Sequence, residues 1–197
     1  MRDLILKMTM SVDGFVSDMD GKNRWMFGSD QEAKAWSVET LWTAGLHIMG
    51  SRSFKDMTAY WPTSTDMFAP PMNDIPKAVF SRKGPSLLEG EEPRQTAERQ
   101  PGWESWATAY VASGRLADEI AMLKAQEGKP IIAHGGVGFA RSLVAEGLVD
   151  QFVLLVAPVV LGKGKALFSE LAAPRSLKLT SSRAFPGGAV AQVYRAA

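Results

Sequence analysis

Residues 131–160 read IIAHGGVGFARSLVAEGLVDQFVLLVAPVV. Ile131, Ile132 and Ala133 form a short apolar run of the kind a strand buried on both faces presents. The run ends at His134, and glycines at 135, 136 and 138 come directly after it. FARSLVAEGLV then spaces its apolar residues as a helix does. QFVLLVAPVV is a second and longer apolar run, read as a strand through Val160. A strand, a glycine turn, a helix and a further strand make one βαβ unit, and such a unit belongs to a parallel sheet.

The same alternation continues toward the N-terminus. DLILKMTMSVDG reads as a strand that meets a turn at Asp13-Gly14. After a polar loop, Ser29-Asp30-Gln31-Glu32 has the form of a capping box, opening a helix that Gly45 stops. LHIMG is a strand, and SRSFKDMTAYW is a helix ending near Pro62. Residues 62–74 read as a loop, KAVFS as a strand and residues 83–102 as a mobile polar surface loop. WATAYVA suits a strand and GRLADEIAMLKAQEGK an amphipathic helix. Toward the C-terminus, GKGKALF is a basic loop. SLKLTSSRAFPGGAVAQVYRA is two strands around Pro186-Gly187-Gly188. The expectation is one α/β domain over residues 1–197, with helices on both faces of a mostly parallel sheet and an antiparallel C-terminal hairpin.

Composition narrows the chemistry. Lys and Arg number 22 against 21 Asp and Glu, so the net charge of +1 gives no electrostatic reason to seek nucleic acid or an acidic membrane. Cysteine is absent, which excludes thiolate zinc sites, thiol nucleophiles and disulfides. The two histidines, His47 and His134, stand far apart, so no metal site is expected. No apolar run approaches the roughly 20 residues of a membrane span. These features predict a soluble, cytoplasmic protein.

Three turns carry candidate chemistry. Gly135, Gly136, Val137 and Gly138 come after a buried strand and open a helix. There the backbone can approach a ligand and unpaired amides favour a pyrophosphate. A tight strand-to-helix turn explains the same glycines equally well. Gly50, Ser51, Arg52 and Ser53 repeat the arrangement with hydroxyls and a guanidinium. Ser81, Arg82 and Lys83 come after a third strand with one hydroxyl and two cations. An N-cap serine and a polar strand end are the plainer explanations of these two. All three turns fall at the same end of their strands. On one rim of such a sheet they suit a dinucleotide with an extra phosphate, NADPH rather than NADH.

HGGVGFARSLVAEGLVDQFVLLVAPVVLGKGKALF resembles the C-terminal reductase domain of the bifunctional riboflavin-biosynthesis deaminase/reductase. MTMSVDGFVS and IMGSRSF resemble the first strand and the cofactor helix of dihydrofolate reductases. The chain is thus similar to the dihydrofolate reductase-like superfamily, in a stand-alone form, from about residue 3 onward with residues 83–102 unmatched. The resemblance implies a three-layer αβα fold, a homodimer, and NADPH-dependent hydride transfer to a pterin-like or ribosylated aminopyrimidine substrate. It carries cofactor binding over to the three turns. Ser51 stands where the family often has arginine, which leaves the extra phosphate to Arg52, Arg82 or Lys83. Asp30 lies five residues after Trp25, the spacing of the acidic residue that anchors substrate and routes a proton in dihydrofolate reductases. Helix-start stabilisation accounts for Asp30 as well. Trp25 and Phe54 are the candidate substrate contacts, although aromatics at helical spacing more often pack in a core. Lys163 and Lys165 suit either a substrate phosphate or a solvated loop. A nucleotide-binding module of the same fold without turnover is the alternative reading.

Overall fold

A computed structural model describes residues 1–28, 30–88 and 98–196. In chain order the elements are β1 (Leu4–Ser11), β2 (Phe15–Ser17), α1 (Gln31–Trp42), β3 (Leu46–Gly50), α2 (Ser51–Thr58) and α3 (Ala69–Asp74). Then come β4 (Lys77–Phe80), α4 (Glu104–Ala107), β5 (Tyr110–Ala112), α5 (Leu116–Ala125) and β6 (Ile131–Ala133). The last are α6 (Val137–Ala145), β7 (Gln151–Ala157), β8 (Lys165–Ala166), β9 (Leu177–Ala184) and β10 (Val190–Ala196). The sheet is mostly parallel, its C-terminal strands are antiparallel, and helices flank it, as the sequence led us to expect. No helix among the described residues is long and apolar enough to cross a membrane.

Backbone contacts divide the chain into two compact units. One comprises Met1–Arg2 and Val38–Ile132; the other comprises Asp3–Ser37 and Ala133–Ala197.

In the first unit the strand order is β5-β4-β3-β6. Ile48, Met49, Ala78, Val79, Ile131 and Ile132 have no exposed surface, the burial pattern of strands covered on both faces. β3 and β4 run parallel, from His47 beside Lys77 to Gly50 beside Phe80. Lys77 is 2% exposed at the amino end of β4. Its ammonium donates to the Asn73 carbonyl at 3.1 Å, to the Ile75 carbonyl and to Ser105 Oγ at 2.7 Å. It also lies 4.7 Å from the centre of the Trp106 ring. Asn73 fixes that indole by accepting from Trp106 Nε1 at 2.8 Å, and donates to the Trp61 carbonyl at 3.0 Å. Gly102 completes this knot at φ +79, where a Cβ would collide with Asp74 Oδ1 and press on backbone at 3.0 Å. At the far end of the unit, the Arg2 guanidinium donates to the Leu123 carbonyl at 3.2 and 3.0 Å, satisfying a carbonyl in the last turn of α5.

In the second unit the order is β1-β7-β10-β9. β1 and β7 are parallel from Ile5–Gln151 to Ser11–Ala157, and β10 pairs antiparallel with both β7 and β9. Ala33, Leu155, Phe185, Ala189 and Ala191 form a buried cluster with Trp36 packed against it. Asp30 ties that cluster together. Its Oδ1 accepts from the Ala33 amide at 3.0 Å, capping α1, and its Oδ2 accepts from the Gly187 amide at 2.6 Å, holding the terminal hairpin turn.

Several details depart from the sequence reading. The segment read as a loop at 62–74 contains α3, and its first half carries a 3-10 turn at Trp61–Thr63. Pro70 and Pro71 occupy the second and third positions of α3, in the first turn, where a missing N–H costs no intrahelical bond. WATAYVA divides into α4 and β5 rather than one strand. β7 stops at Ala157 because Pro158 cannot donate to a ladder. β2 and β8 pair as a small antiparallel sheet that the sequence reading did not include. The polar stretch begins with a 3-10 turn, Gly84–Leu87, while its residues 89–97 lie outside the described residues. Ser29 of the expected capping box also lies outside them; the cap that the structure describes comes from Asp30.

Two measurements test these interactions. Burial pushes the Lys77 ammonium down to about 7, with the Asp74 carboxylate opposing the shift. The unfolded chain therefore holds this proton over a pH range in which the folded chain releases it. Between about pH 7 and the ordinary lysine value, this group makes stability rise with pH. Urea midpoints at pH 7 and pH 9 should show the native protein gaining on a Lys77→Met variant; a constant difference would refute the assignment. Asp30→Ala should cost about 1–2 kcal/mol by thermal melting, for a lost helix cap and a lost hairpin contact. An unchanged melting temperature would show that neither contact matters.

Candidate functional site

Gly50 and Phe80 are partners at the carboxyl ends of adjacent parallel strands. The two segments that leave the sheet at these residues therefore emerge side by side. After Gly50 the chain enters α2 at once, with Ser51, Arg52 and Ser53 in its first turn. No side chain caps that turn, so its amides remain available to a ligand. After Phe80 the chain makes a turn in which the Ser81 amide donates to the Ala112 carbonyl at 3.0 Å, and Ser81 Oγ accepts from the Lys83 amide at 3.2 Å. Ser81 is 8% exposed, whereas Arg52, Arg82 and Lys83 point to solvent. Among the described residues, none of these three cations is engaged in an ion pair. The structure thus brings together two of the three turns singled out in the sequence. Hydroxyls, helix amides and unpaired cations in one place are what a phosphate monoester or diphosphate requires.

The third turn belongs to the second unit. Gly135 has φ +86, which side chains rarely adopt, and a Cβ there would press on the Met8 Sδ of β1 at 3.3 Å. Gly135 and Gly136 are joined by a cis peptide. Gly136 caps α6 without any side-chain hydrogen bond, and Val137 and Gly138 form the first turn. The chain here offers backbone amides and no side chain, in keeping with a diphosphate contact.

Other candidates in the second unit sort differently. Asp30 has both oxygens occupied by the Ala33 and Gly187 amides. Asp13 accepts from the Gly162 amide at 2.7 Å and the Leu161 amide at 3.2 Å, pinning the exit of β1 to the loop after β7. A hydrogen bond from Ser11 and those amides hold its carboxyl below the usual range. Trp25 sits in a 3-10 turn, Arg24–Phe27, and its enclosed indole N–H has no acceptor among the described residues. Trp36 packs on Phe185 at 5.8 Å between ring centres. In the first unit, Phe54 is 2% exposed and packs on Trp106 at the same spacing.

Lys7 is the residue that the sequence reading passed over. It stands in the middle of β1, paired with Val153, between the buried Leu6 and Met8. The residue is half-buried, its ammonium has no hydrogen-bond or ion-pair partner among the described residues, and burial pushes it down to about 8. A charged residue inside the apolar run LILKMTM was the available signal.

Comparisons with known proteins bear on the fold and the family. The uncharacterised protein YyaP of Bacillus subtilis is 28% identical over 195 residues, covering 98% of this chain and 94% of its own length. The bifunctional diaminohydroxyphosphoribosylaminopyrimidine deaminase/5-amino-6-(5-phosphoribosylamino)uracil reductase of Thermotoga maritima superposes with a TM-score of 0.69 at 16% identity, over 100% of this chain and 57% of that one. Dihydrofolate reductase of Enterococcus faecalis, in a complex containing NADP(H), superposes with a TM-score of 0.61 at 13% identity, over 98% and 96%. The fold is therefore dihydrofolate reductase-like. The model of the RibD C-terminal domain family matches residues 2–191, and this chain belongs to that family.

Proposed function

We propose that the chain is an NADPH-dependent reductase that delivers a hydride to a small heteroaromatic substrate, either pterin-like or a ribosylated aminopyrimidine. The observation that carries the reading is the Gly50–Phe80 pairing, which sets an uncapped helix start beside a hydroxyl-bearing turn, with Arg52, Arg82 and Lys83 in no ion pair among the described residues. A phosphate beyond the diphosphate needs such cations, and NADH has none to offer them. Family membership and the likeness to a dihydrofolate reductase holding NADP(H) support the same cofactor.

In this reading Arg52, Arg82 and Lys83 take the extra phosphate. Gly50, Ser51, Ser53 and Ser81 supply amides and hydroxyls. Gly135, Gly136, Val137 and Gly138 are assigned to the diphosphate. When bound, the nicotinamide supplies the hydride. The protein must then hold the substrate and furnish a proton to its acceptor nitrogen. Trp25 is assigned to the substrate. Lys7, with an ammonium titrating near 8, is suited to release a proton near neutrality and recover it from water. Cytoplasmic residence and assembly with a second copy of the chain belong to the same proposal.

One observation favours the alternative of a binding module without turnover. The carboxylate expected to route the proton, Asp30, is committed to the Ala33 and Gly187 amides.

Melting the protein with NADPH, NADH and NADP⁺ in parallel tests the cofactor. A ligand present at about 100 times its dissociation constant adds about 2.7 kcal/mol. Arg52→Ala or Arg82→Ala should weaken NADPH roughly tenfold or more while leaving NADH unchanged. No shift with any dinucleotide ends the proposal. Lys7→Met should lower kcat by roughly 10²–10⁴-fold with NADPH affinity preserved. In the native enzyme the rate should fall as pH rises through about 8, because a proton donor must be protonated to act. NADPH binding with no oxidation, across pterin and aminopyrimidine substrates, would favour the binding module.

A further inference from the structure

Asn73 stands near the end of α3 with no exposed surface, and the proposed chemistry assigns it nothing. Its polar atoms reach three other elements of the first unit. Oδ1 accepts from Trp106 Nε1 of α4 at 2.8 Å, and Nδ2 donates to the Trp61 carbonyl at 3.0 Å. The backbone carbonyl accepts from Lys77 Nζ of β4 at 3.1 Å and from Ser105 Oγ. Both side-chain bonds lead to α2. Trp106 is 1% exposed and its ring lies 5.8 Å from that of Phe54, which directly follows the first-turn residues Ser51–Ser53. Trp61 lies three residues past Thr58, the last residue of α2. The link between them is itself bonded, with the Ala59 amide donating to the Lys55 carbonyl at 3.2 Å and the Tyr60 amide to the Met57 carbonyl at 3.1 Å. One buried side chain thus grips a helix about 12 Å long from both of its ends.

We propose that Asn73 is a positioning residue for phosphate binding: it fixes the rotation and height of α2, and with them the places of the Ser51–Ser53 amides and hydroxyls and of the Arg52 guanidinium. Burial of Phe54 alone would not do this, because the hydrophobic effect has no direction and lets a helix slide or roll on its neighbours. Hydrogen bonds to a buried amide are directional, and a fully paired polar network selects one arrangement. The bond to Oδ1 sets the plane of the Trp106 indole, and that plane sets the seat of Phe54. The bond from Nδ2 sets where the chain leaves α2. Donors that meet a phosphate must stand within about half an ångström of their places to be effective. Asn73 meets no ligand and acts only through Phe54 and Trp61. The inference rests on the proposed cofactor role of the first turn of α2.

Two variants of the full chain test this. Asn73→Ser removes both side-chain bonds. Trp106→Phe keeps a ring against Phe54 and removes only the indole donor, so it decides the matter if Asn73→Ser does not fold. Each is titrated with NADPH, and hydrogen exchange of the Lys55–Thr58 amides is followed in the free chain beside that of the α5 amides. NADPH should weaken roughly tenfold, as a raised KM with kcat unchanged. Exchange in α2 should quicken roughly tenfold relative to α5. In an Arg52→Ala background the loss from either variant should shrink to about twofold, because a displaced helix matters less once its cation is gone. A general structural role predicts the same loss in both backgrounds and equal acceleration in α2 and α5, and either result overturns the proposal. If the native chain bound no NADPH, the functional reading would fall and this inference with it. If the native chain bound NADPH and both variants bound it equally well, this inference alone would fall.

Discussion

Parallel pairing of β3 with β4 is the constraint on which the rest depends. A parallel ladder aligns strand ends of like polarity, so both chains leave the sheet from the same edge. The register then decides which residues meet there. With Gly50 against Phe80, the next residues along the chain are Ser51 and Ser81, each the first of a short polar turn with cations behind it. Shifting the register by one residue would reverse every side chain in β4 between the two faces and bury Phe80 and Ser81 differently. The apolar middle of both strands, Ile48 and Met49 against Ala78 and Val79, fixes the register through burial on both faces.

The opposite, amino ends of the same strands carry a different solution. His47 lies beside Lys77 there, and both are buried. A lysine is tolerated at that depth because two carbonyls and a hydroxyl accept from it and an indole ring lies against it. The same arrangement satisfies carbonyls at the end of α3, which would otherwise be orphaned. β4 thus joins a polar knot at one end to the Ser81–Lys83 turn at the other across only four residues.

Much of this was legible in the sequence, for physical reasons that can be named. Apolar runs ending in glycine or serine located β3, β4 and β6, because strands buried on both faces need unbroken hydrophobicity and their turns need small or polar residues. The glycine triplet at 135, 136 and 138 marked a turn in which Gly135 takes a positive φ that side chains rarely adopt. Proline misled the reading at 62–74, since Pro70 and Pro71 end helices in general but begin α3 here. WATAYVA was obscured by its β-branched and aromatic content, which propensity assigns to a strand although Trp106 is needed on a helix to face Phe54 and Lys77. At the site, cations placed just after strands were visible as a pattern. The engagement of Asp30 by Gly187 was not, because it joins residues 157 positions apart. Lys7 was hidden by treating the first strand as simple alternation.

The burial of Lys77 also sets its reactivity. An amine that sheds its proton near 7 is, at neutral pH, far more often in its nucleophilic, unprotonated form than an exposed lysine of ordinary pKa. Yet it is 2% exposed, and an acylating reagent cannot reach it in the folded state. Its labelling would proceed at the rate at which the chain opens around α3 and α4, which makes this one side chain an internal clock for local unfolding.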